Sequence, residues 1–353
     1  MSQLPYHHLH SAHCESGVTA ALLTHHGLPM TEPMAFGIGS GLFFIHLPFK
    51  SVFGAPNLSF RKAPGAVFKT LGKRLGIEFE VRHYRDAKKA SADLDALLEQ
   101  GTPVGLQTNV YWLSYMPRRF RFQFNAHNLV VYGKDDGGWK VSDPVLEEPQ
   151  VCTPDSLDRA RFAKGFLAPR GRAYFIARPP KVSSDRLRTA VRRGILSTGF
   201  SMSRIPLPIF GHKAIWLLAD RMAKWPTLYA DPHDSIMQLA MVVRMQEEIG
   251  TGGAGFRYLY AAFLQQAAVV LDDKQYEDYS KVMTLIGDHW RSFAGKCARI
   301  CRAGKADVDA FREVSEIVRE CGERERALFN EIFLHEKARP SRATVALTAG
   351  QPQ

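Results

Sequence analysis

The chain has 353 residues, of which 45% are hydrophobic, and a formal net charge of +11. A chain of this composition can bury an ample core, and the length predicts about two domains. Its apolar runs are far shorter than the roughly 20 residues that span a bilayer. The first residues also lack the basic and apolar regions of a secretory signal, so we expect a cytoplasmic protein without an integral membrane segment.

Residues up to about 180 alternate between helical and strand patterns. A helix is predicted from Cys14 to His26, where Gly27 ends it, and a Gly-rich stretch follows. Residues 119–124 alternate strictly between polar and aromatic side chains, as a strand does. Residues 127–133 and 139–143 flank KDDGG and predict a hairpin. The other predicted elements are helices over 64–71 and 90–101 and strands over 77–84, 102–108 and 172–180.

After Pro179 and Pro180 the pattern becomes almost entirely helical. The predicted helices cover 184–198, 211–225, 234–250, 255–271, 274–297 and 305–337. We therefore predict an α+β chain in which a mixed catalytic domain, 1–182, precedes an all-α domain, 183–338. A small, polar and disordered tail, 339–353, is expected to follow.

The five cysteines are odd in number and widely scattered, which argues against a disulfide framework and leaves free thiols available for chemistry. Cys14 begins the first predicted helix, and a helix N-terminus favours the nucleophilic thiolate. His127 opens an apolar strand, and a hairpin loop of odd length centred on Asp135 would pair it with Asp143. An even loop would not. Each residue alone could be an ordinary buried or turn residue, but the order Cys, His, Asp is typical of papain-like folds.

The segment HCESGVTAALLTHHGLPMTEPMAFGIGSGLFF, followed later by AHNLVVYGKDDGGWKVSDP, resembles the N-terminal domain of the butirosin biosynthesis protein H family. GTGGAGFRYLYAAFLQQA (250–267) resembles the helical domain of unknown function that often follows it. The resemblance implies a papain-like fold and acyl transfer from an acyl carrier protein thioester, through an acyl-cysteine, to an amine. It assigns Cys14 as the nucleophile, His127 as the base and Asp143 as the residue that orients the base.

The resemblance also marks Glu32, which could align a substrate amine or cap local backbone. The Gln that papain-like enzymes place before the Cys is absent, so Gln107 or Asn109 could supply the second oxyanion donor. Gly39, in GIGSG, is expected to bring backbone near the site, with a purely structural turn as the alternative. GTGGAGFR could bind a phosphate or only begin a helix. The N-terminal histidines do not converge as ligands, so we expect no metal.

The leading hypothesis is an acyltransferase that passes an acyl group to an amine or hydroxyl acceptor in specialised metabolite or lipid biosynthesis. It needs no cofactor of its own, because acyl-phosphopantetheine arrives on an acyl carrier protein. The helical domain would then shape the substrate pocket. The positive charge fits this acidic partner, whereas nucleic acid is not expected, since no binding motif accompanies the basic segments 61–74 and 117–122.

Two alternatives use the same sequence features. A cysteine hydrolase, acting as a thioesterase, amidase or peptidase, would use the same three residues with water as the acceptor. A non-catalytic binding protein would keep the fold without a reactive Cys14. A homodimer is also open, because helical periodicity does not distinguish a subunit interface from packing within the chain.

Overall fold

The computed structural model describes residues 5–52 and 55–339. They form two compact units, each made of several separate stretches of sequence. The first unit contains the residues up to Gly39, Ala63–Ala190 and Gly250–Gly252. The second contains Ser40–Lys62, Val191–Ile249 and the residues from Gly253 onwards.

Helices and strands both occur in the described residues up to residue 176, and helices follow. The helices are α1 (Cys14–His25), α2 (Glu32–Ile38), α3 (Ala66–Leu75), α4 (Ala87–Glu99), α5 (Pro154–Arg161), α6 (Ser184–Ser203), α7 (Gly211–Met222), α8 (Trp225–Leu228), α9 (Pro232–Glu247), α10 (Arg257–Leu271), α11 (Gln275–Ala303) and α12 (Val308–Ala338). The strands are β1 (Leu42–Val52), β2 (Ala55–Arg61), β3 (Phe79–Arg82), β4 (Val104–Thr108), β5 (His127–Asp135), β6 (Gly138–Ser142), β7 (Gln150–Cys152) and β8 (Ala173–Ile176).

The predicted fold class, α+β with a mixed first part and a helical second part, is confirmed. The described strands all end before residue 177, and the described elements beyond it are helical. The domain boundary at residue 182 stays a prediction, while the compact units divide α6 at residue 190 and add residues 40–62 to the second unit. Of the predicted tail 339–353, residues 340–353 lie outside the described residues. No helix in the described ranges is long and apolar enough to cross a membrane.

A six-stranded antiparallel sheet, in the order β3-β8-β4-β5-β6-β7, organises the first unit. Successive side chains of a strand point to opposite faces, and both faces of β5 contact other parts of this unit. Leu129 and Val131 enter an apolar core with Trp139 of β6. Asn128 instead faces Cys14 of α1. The sheet therefore separates an apolar core from a face on which α1 presents its first residue.

The strand predicted over Arg119–Phe124 is wrong. The residues after Pro117 form a single turn of 3₁₀ helix, in which the Phe120 N–H bonds the Pro117 carbonyl. The Arg121 side chain then bonds the Met116 carbonyl and closes the loop. Alternation makes a strand only where a neighbouring strand supplies a hydrogen-bonding partner, and none pairs with this described segment.

The segment after α1 contains α2 and the β1–β2 hairpin, which the sequence pattern did not predict. The hairpin belongs to the second unit because its aromatic side chains pack there. Phe44 and Phe60 form an edge-to-face pair, and Phe60 lies edge-to-face against Trp290 of α11. The Arg257 guanidinium lies 5.3 Å from the centre of the Phe60 ring and 5.2 Å from Trp290. A Cβ at Gly255 would lie 2.3 Å from the Phe60 ring, so the GTGGAGFR segment needs glycine there.

A buried ion pair lies at the centre of the second unit. Arg257 and Glu325 have no exposed side-chain surface, and both Glu325 oxygens accept from the guanidinium, at 2.8 and 2.9 Å. The Trp290 indole N–H also donates to Glu325, at 2.7 Å. The Arg257 guanidinium therefore needs this carboxylate, because a buried charge without a partner is costly.

We expect Glu325→Ala to lower the free energy of unfolding by about 3 to 5 kcal/mol, because it leaves the Arg257 charge buried and unpaired. Urea unfolding followed by tryptophan fluorescence measures this. Asp309→Ala is the matched control, since Asp309 pairs with Arg312 on the exposed surface of α12, and its stability should equal that of the wild type. Equal stabilities of the two variants would contradict the assignment.

Candidate active site

Cys14 is the first residue of α1, and its side chain is nearly buried, with 6% exposed. His13 precedes it as the N-cap, and the imidazole Nδ1 accepts from the Ser16 N–H. The Cys14 sulfur lies 3.8 Å from the Ala126 carbonyl oxygen and 3.8 Å from the Asn128 side-chain nitrogen. The helix start therefore places this sulfur against the first residues of β5, where the positive end of the helix dipole favours a thiolate.

Gly17 allows the segment after β6 to approach α1. A Cβ at this position would lie 2.7 Å from the Ser11 Cβ and 2.8 Å from the Pro144 Cβ, both closer than real side chains allow. The Ser11 N–H also bonds the Pro144 carbonyl at 2.7 Å. Pro144 follows Asp143, so this close contact fixes the position of the carboxylate relative to the helix.

His127 and Asp143 form a buried pair. The Nε2 atom of His127 lies 2.7 Å from Oδ2 of Asp143, whose side chain has no exposed surface. The Tyr115 hydroxyl donates to the same oxygen at 2.8 Å, and the Val145 N–H donates to the other at 3.3 Å. Because Asp143 takes Nε2, the imidazole atom left for Cys14 is Nδ1, and the interaction with Cys14 contributes to the raised pKa of His127.

The surroundings of His127 favour its protonated form. Burial by itself lowers the pKa of the imidazole, but the charge and hydrogen bond of Asp143 and the contact with Cys14 raise it, to about 10. At neutral pH the ring is then an imidazolium next to the sulfur. Such a pair stabilises a thiolate and holds a proton ready for a leaving group.

The predicted cross-strand pairing of His127 with Asp143 is wrong, although their side chains meet. The hairpin loop has two residues, Asp136 and Gly137, and not an odd number centred on Asp135. Tyr132 forms a bulge that shifts the register again, and the pairs next to the site are Val130 with Ser142 and Val131 with Val141. Asp143 therefore follows the end of β6 and reaches His127 from there.

Glu32 lies at the N-terminus of α2 and caps backbone. Its two carboxylate oxygens accept from the Ala12 N–H at 2.9 Å and from the His13 N–H at 2.7 Å, and the Ser16 hydroxyl adds a third bond. Burial raises the pKa of Glu32, and these hydrogen bonds oppose the rise. Of the two predicted roles, the geometry agrees with capping, because the carboxylate holds the residues that lead into Cys14.

Gln107 and Asn109 do not donate to Cys14. The Gln107 amide nitrogen donates to the carbonyls of Asn125 and Leu167, at 2.8 and 3.1 Å. The Asn109 nitrogen donates to the Asn125 side-chain oxygen at 2.6 Å, and its oxygen caps a 3₁₀ turn by accepting from the Tyr111 N–H. Gln107 therefore supports the backbone at 125 and 167, whereas Asn109 holds the Asn125 side chain and the 3₁₀ turn.

Gly39 also has a packing role. A Cβ there would lie 2.7 Å from the Val67 side chain and 2.8 Å from the Val67 carbonyl oxygen, so glycine lets α2 contact α3. The N-terminal histidine His8 bonds the Ser142 hydroxyl at 2.8 Å and the Leu146 carbonyl at 3.0 Å, which ties the N-terminal segment to β6. Within residues 5–52 and 55–339, no three His, Cys, Asp or Glu side chains converge as metal ligands would.

Sequence reasoning missed the polar side chains that surround the pair. Tyr115 donates to Asp143, and Asn128 contacts the Cys14 sulfur while its oxygen accepts from the Tyr174 hydroxyl at 3.0 Å. One signal was present, since Asn128 is a polar residue inside the otherwise apolar HNLVV strand. Tyr115 and Tyr174 carry no comparable signal, because aromatic residues fit an ordinary core.

Comparisons with known proteins match the two parts of the chain to two family models. A family model described as butirosin biosynthesis protein H, N-terminal, matches residues 13–144, and one described as a domain of unknown function (DUF4872) matches residues 155–332. No curated protein sequence matches the chain. A solved structure from Bacillus anthracis, described as a C39-like peptidase, is similar over 50% of this chain and 96% of its own, with 14% identity and a TM-score of 0.33.

Proposed function

Because the chain belongs to the family of proteins with the DUF4872 domain, here preceded by the N-terminal domain of butirosin biosynthesis protein H, we propose that it is a cysteine acyltransferase. The family match supports a papain-like cysteine enzyme. The finer proposal is that an acyl group passes from an acyl carrier protein thioester through Cys14 to an amine or hydroxyl acceptor.

One observation carries the proposal: the buried arrangement of Cys14, His127 and Asp143. The segment that matches the butirosin biosynthesis protein H model, 13–144, begins one residue before Cys14 and ends one residue after Asp143. Within it, a helix start supplies the sulfur, a strand start supplies the imidazole and a buried carboxylate holds Nε2. These are the parts that nucleophilic catalysis by cysteine requires.

In the first half of the proposed reaction the Cys14 thiolate attacks the thioester carbonyl and forms a new sulfur–carbon bond. The bond to the carrier sulfur breaks, and the His127 imidazolium gives its proton to that leaving thiolate. In the second half an acceptor amine attacks the acyl-cysteine, and His127, now neutral, takes a proton from the amine. Cys14 leaves as a thiolate, which restores the starting ion pair.

The charge of the chain supports a carrier protein as the donor. The net charge is +11, and acyl carrier proteins are acidic, so long-range attraction favours their encounter. Arg118 and Arg119 are exposed beside Phe120, whose ring lies 4.8 Å from the Arg119 guanidinium and is 46% exposed. Exposed arginine next to an aromatic ring is a common composition of protein contact surfaces.

Intact mass spectrometry of the chain after incubation with a panel of acyl-loaded carrier proteins tests the proposal. We expect a mass increase equal to one acyl group, located on Cys14 by peptide mapping. Addition of an amine acceptor should then remove the adduct and produce the acyl-amine. Adduct loss to free acid at the same rate with and without acceptors would favour the hydrolase, and absence of both adduct and carrier deacylation would contradict the proposal.

A further inference from the structure

A second concave site lies in the first unit, apart from Cys14. It is a cavity of about 350 Å³ between the loop before α3 and the loop before β8. Three basic side chains line it: His83, Arg170 and Arg172. Burial lowers the pKa of the His83 imidazole most, and the charges of Arg172, of Lys69 on α3 and of Arg170 lower it further.

The cations of this cavity form no ion pair within the part of the chain that the structure describes. Among residues 5–52 and 55–339, no carboxylate lies within ion-pair distance of Lys69, Arg170 or Arg172. The polar bond of the Arg172 Nε is to the His83 Nε2, at 3.3 Å. Cations that gather in a concavity without acidic partners leave a potential that an anion would satisfy.

The loop that carries Arg170 is held in a strained form. Leu167 and Arg170 have left-handed φ angles of 56° and 54°, which are costly for residues with a Cβ. Buried amides hold it in place, since Asn125 donates to the Lys164 and Phe166 carbonyls and Gln107 to the Leu167 carbonyl. Backbone strain that the surrounding residues enforce in this way is typical of ligand sites. The role of Gln107 and Asn125 is then to hold this loop in its strained form.

The cavity is linked to Cys14 by short chains of contacts. Tyr174 lies on β8, two residues and about 7 Å of extended chain after Arg172, and its hydroxyl bonds Asn128, which contacts the Cys14 sulfur. On the other side, Glu15 follows Cys14 and accepts from the Gly65 N–H. The Arg172 guanidinium lies 3.1 Å from the position of a Cβ on Gly65. The two sites therefore lie at the same end of the sheet.

We propose that this cavity binds the phosphoryl group of the acyl donor, with Arg170 and Arg172 as its anchors. Arginine presents a rigid fork of donors that fits phosphate oxygens. The positive charges of Arg170, Arg172 and Lys69 together suit a doubly charged phosphate better than a singly charged carboxylate. The identity of the bearer rests on the proposed function: a pantetheine thioester carries one phosphate at the end remote from its sulfur. The proposal requires that this phosphate bind in the cavity while the thioester lies at Cys14.

Binding of phosphopantetheine and of pantetheine, measured by calorimetry on the full chain, tests the cavity directly, because the two probes differ only in the phosphate. The wild type should bind phosphopantetheine more tightly. Arg172→Met and Arg170→Met should each weaken that binding by about tenfold or more and leave pantetheine binding unchanged. Arg178→Met, an equal charge loss at an exposed position beyond the same strand, should change neither.

A kinetic comparison separates this inference from the proposed function. In the wild type, acyl-phosphopantetheine should acylate Cys14 faster than acyl-pantetheine does, and Arg170→Met and Arg172→Met should lose this difference. Acylation rates with acyl carrier protein and with acyl-coenzyme A then show which bearer of the phosphate is preferred. Phosphate-dependent binding without acylation would support the cavity assignment and contradict the proposed acyltransferase activity. Equal or absent binding of the two probes, or a preference that survives both substitutions, would overturn the cavity assignment.

Discussion

Cys14→Ala is expected to take up no acyl group and to lower the rate of carrier deacylation by at least about 10³-fold. The reason is that the variant loses the only atom that forms the covalent intermediate, while His127 and Asp143 can at most assist water. The side chain is small and nearly buried, so alanine should leave the fold intact. Deacylation of a loaded carrier, followed by mass spectrometry, gives the rate, and circular dichroism checks the fold.

Cys301→Ala is the matched control for this experiment. Cys301 is partly exposed on α11, in the second unit, and burial raises the pKa of its thiol. Its removal should leave both the acyl adduct and the rate unchanged. An adduct that persists in Cys14→Ala and disappears in Cys301→Ala would show that the nucleophile has been assigned to the wrong residue.

Asp143→Asn is expected to lower the rate of Cys14 alkylation by iodoacetamide at neutral pH by about 10²-fold or more. Without the carboxylate, burial dominates and the pKa of His127 falls from about 10 to below the ordinary value of imidazole. The ring is then neutral at pH 7 and no longer stabilises the thiolate. We expect the wild-type rate to be nearly flat from neutral pH to about pH 9, and the variant rate to rise with pH.

The raised pKa of His127 also makes the free energy of unfolding depend on pH. Because the folded state raises the pKa of His127, its protonation stabilises the fold fully below the unfolded pKa of about 6.5, and this stabilisation is lost as the pH rises through about 10. Asp143→Asn should remove that alkaline dependence from urea unfolding curves. Tyr115→Phe, which deletes one hydrogen bond to Asp143, should keep the alkaline dependence of stability.

In the alkylation experiment, identical pH profiles of the wild type and Asp143→Asn would contradict the proposed ion pair.

The helices could be predicted because their signals are local. Periodicity and a terminal glycine located α1 to within one residue, and periodicity also located α10, α11 and α12, although α11 extends six residues beyond its predicted end. The β1–β2 hairpin could not, because Phe44 and Phe60 find their partner, Trp290, far along the chain. The pattern of a strand does not reveal a partner at that distance.

The candidate site, like the fold, could be predicted from the sequence only in part. Cys14, His127 and Asp143 could be proposed from chain order and resemblance, and the structure brings their side chains together. The register argument for the last pair failed because the hairpin loop has two residues and because the bulge at Tyr132 shifts the register again. Gln107 and Asn109 were chosen for their position near the site, but sequence does not show where an amide nitrogen points, and theirs point to backbone and to Asn125.

The interleaving of the two units in the sequence also sets the order in which the chain can fold during synthesis. Phe44 and Phe60 emerge from the ribosome long before Trp290 and Arg257, the residues that cover them. At about 5 to 20 residues per second, synthesis from the hairpin to the end of α12 takes roughly 15 to 55 s. Throughout that interval the nascent hairpin presents unpaired aromatic surface, which is the kind of segment that molecular chaperones bind.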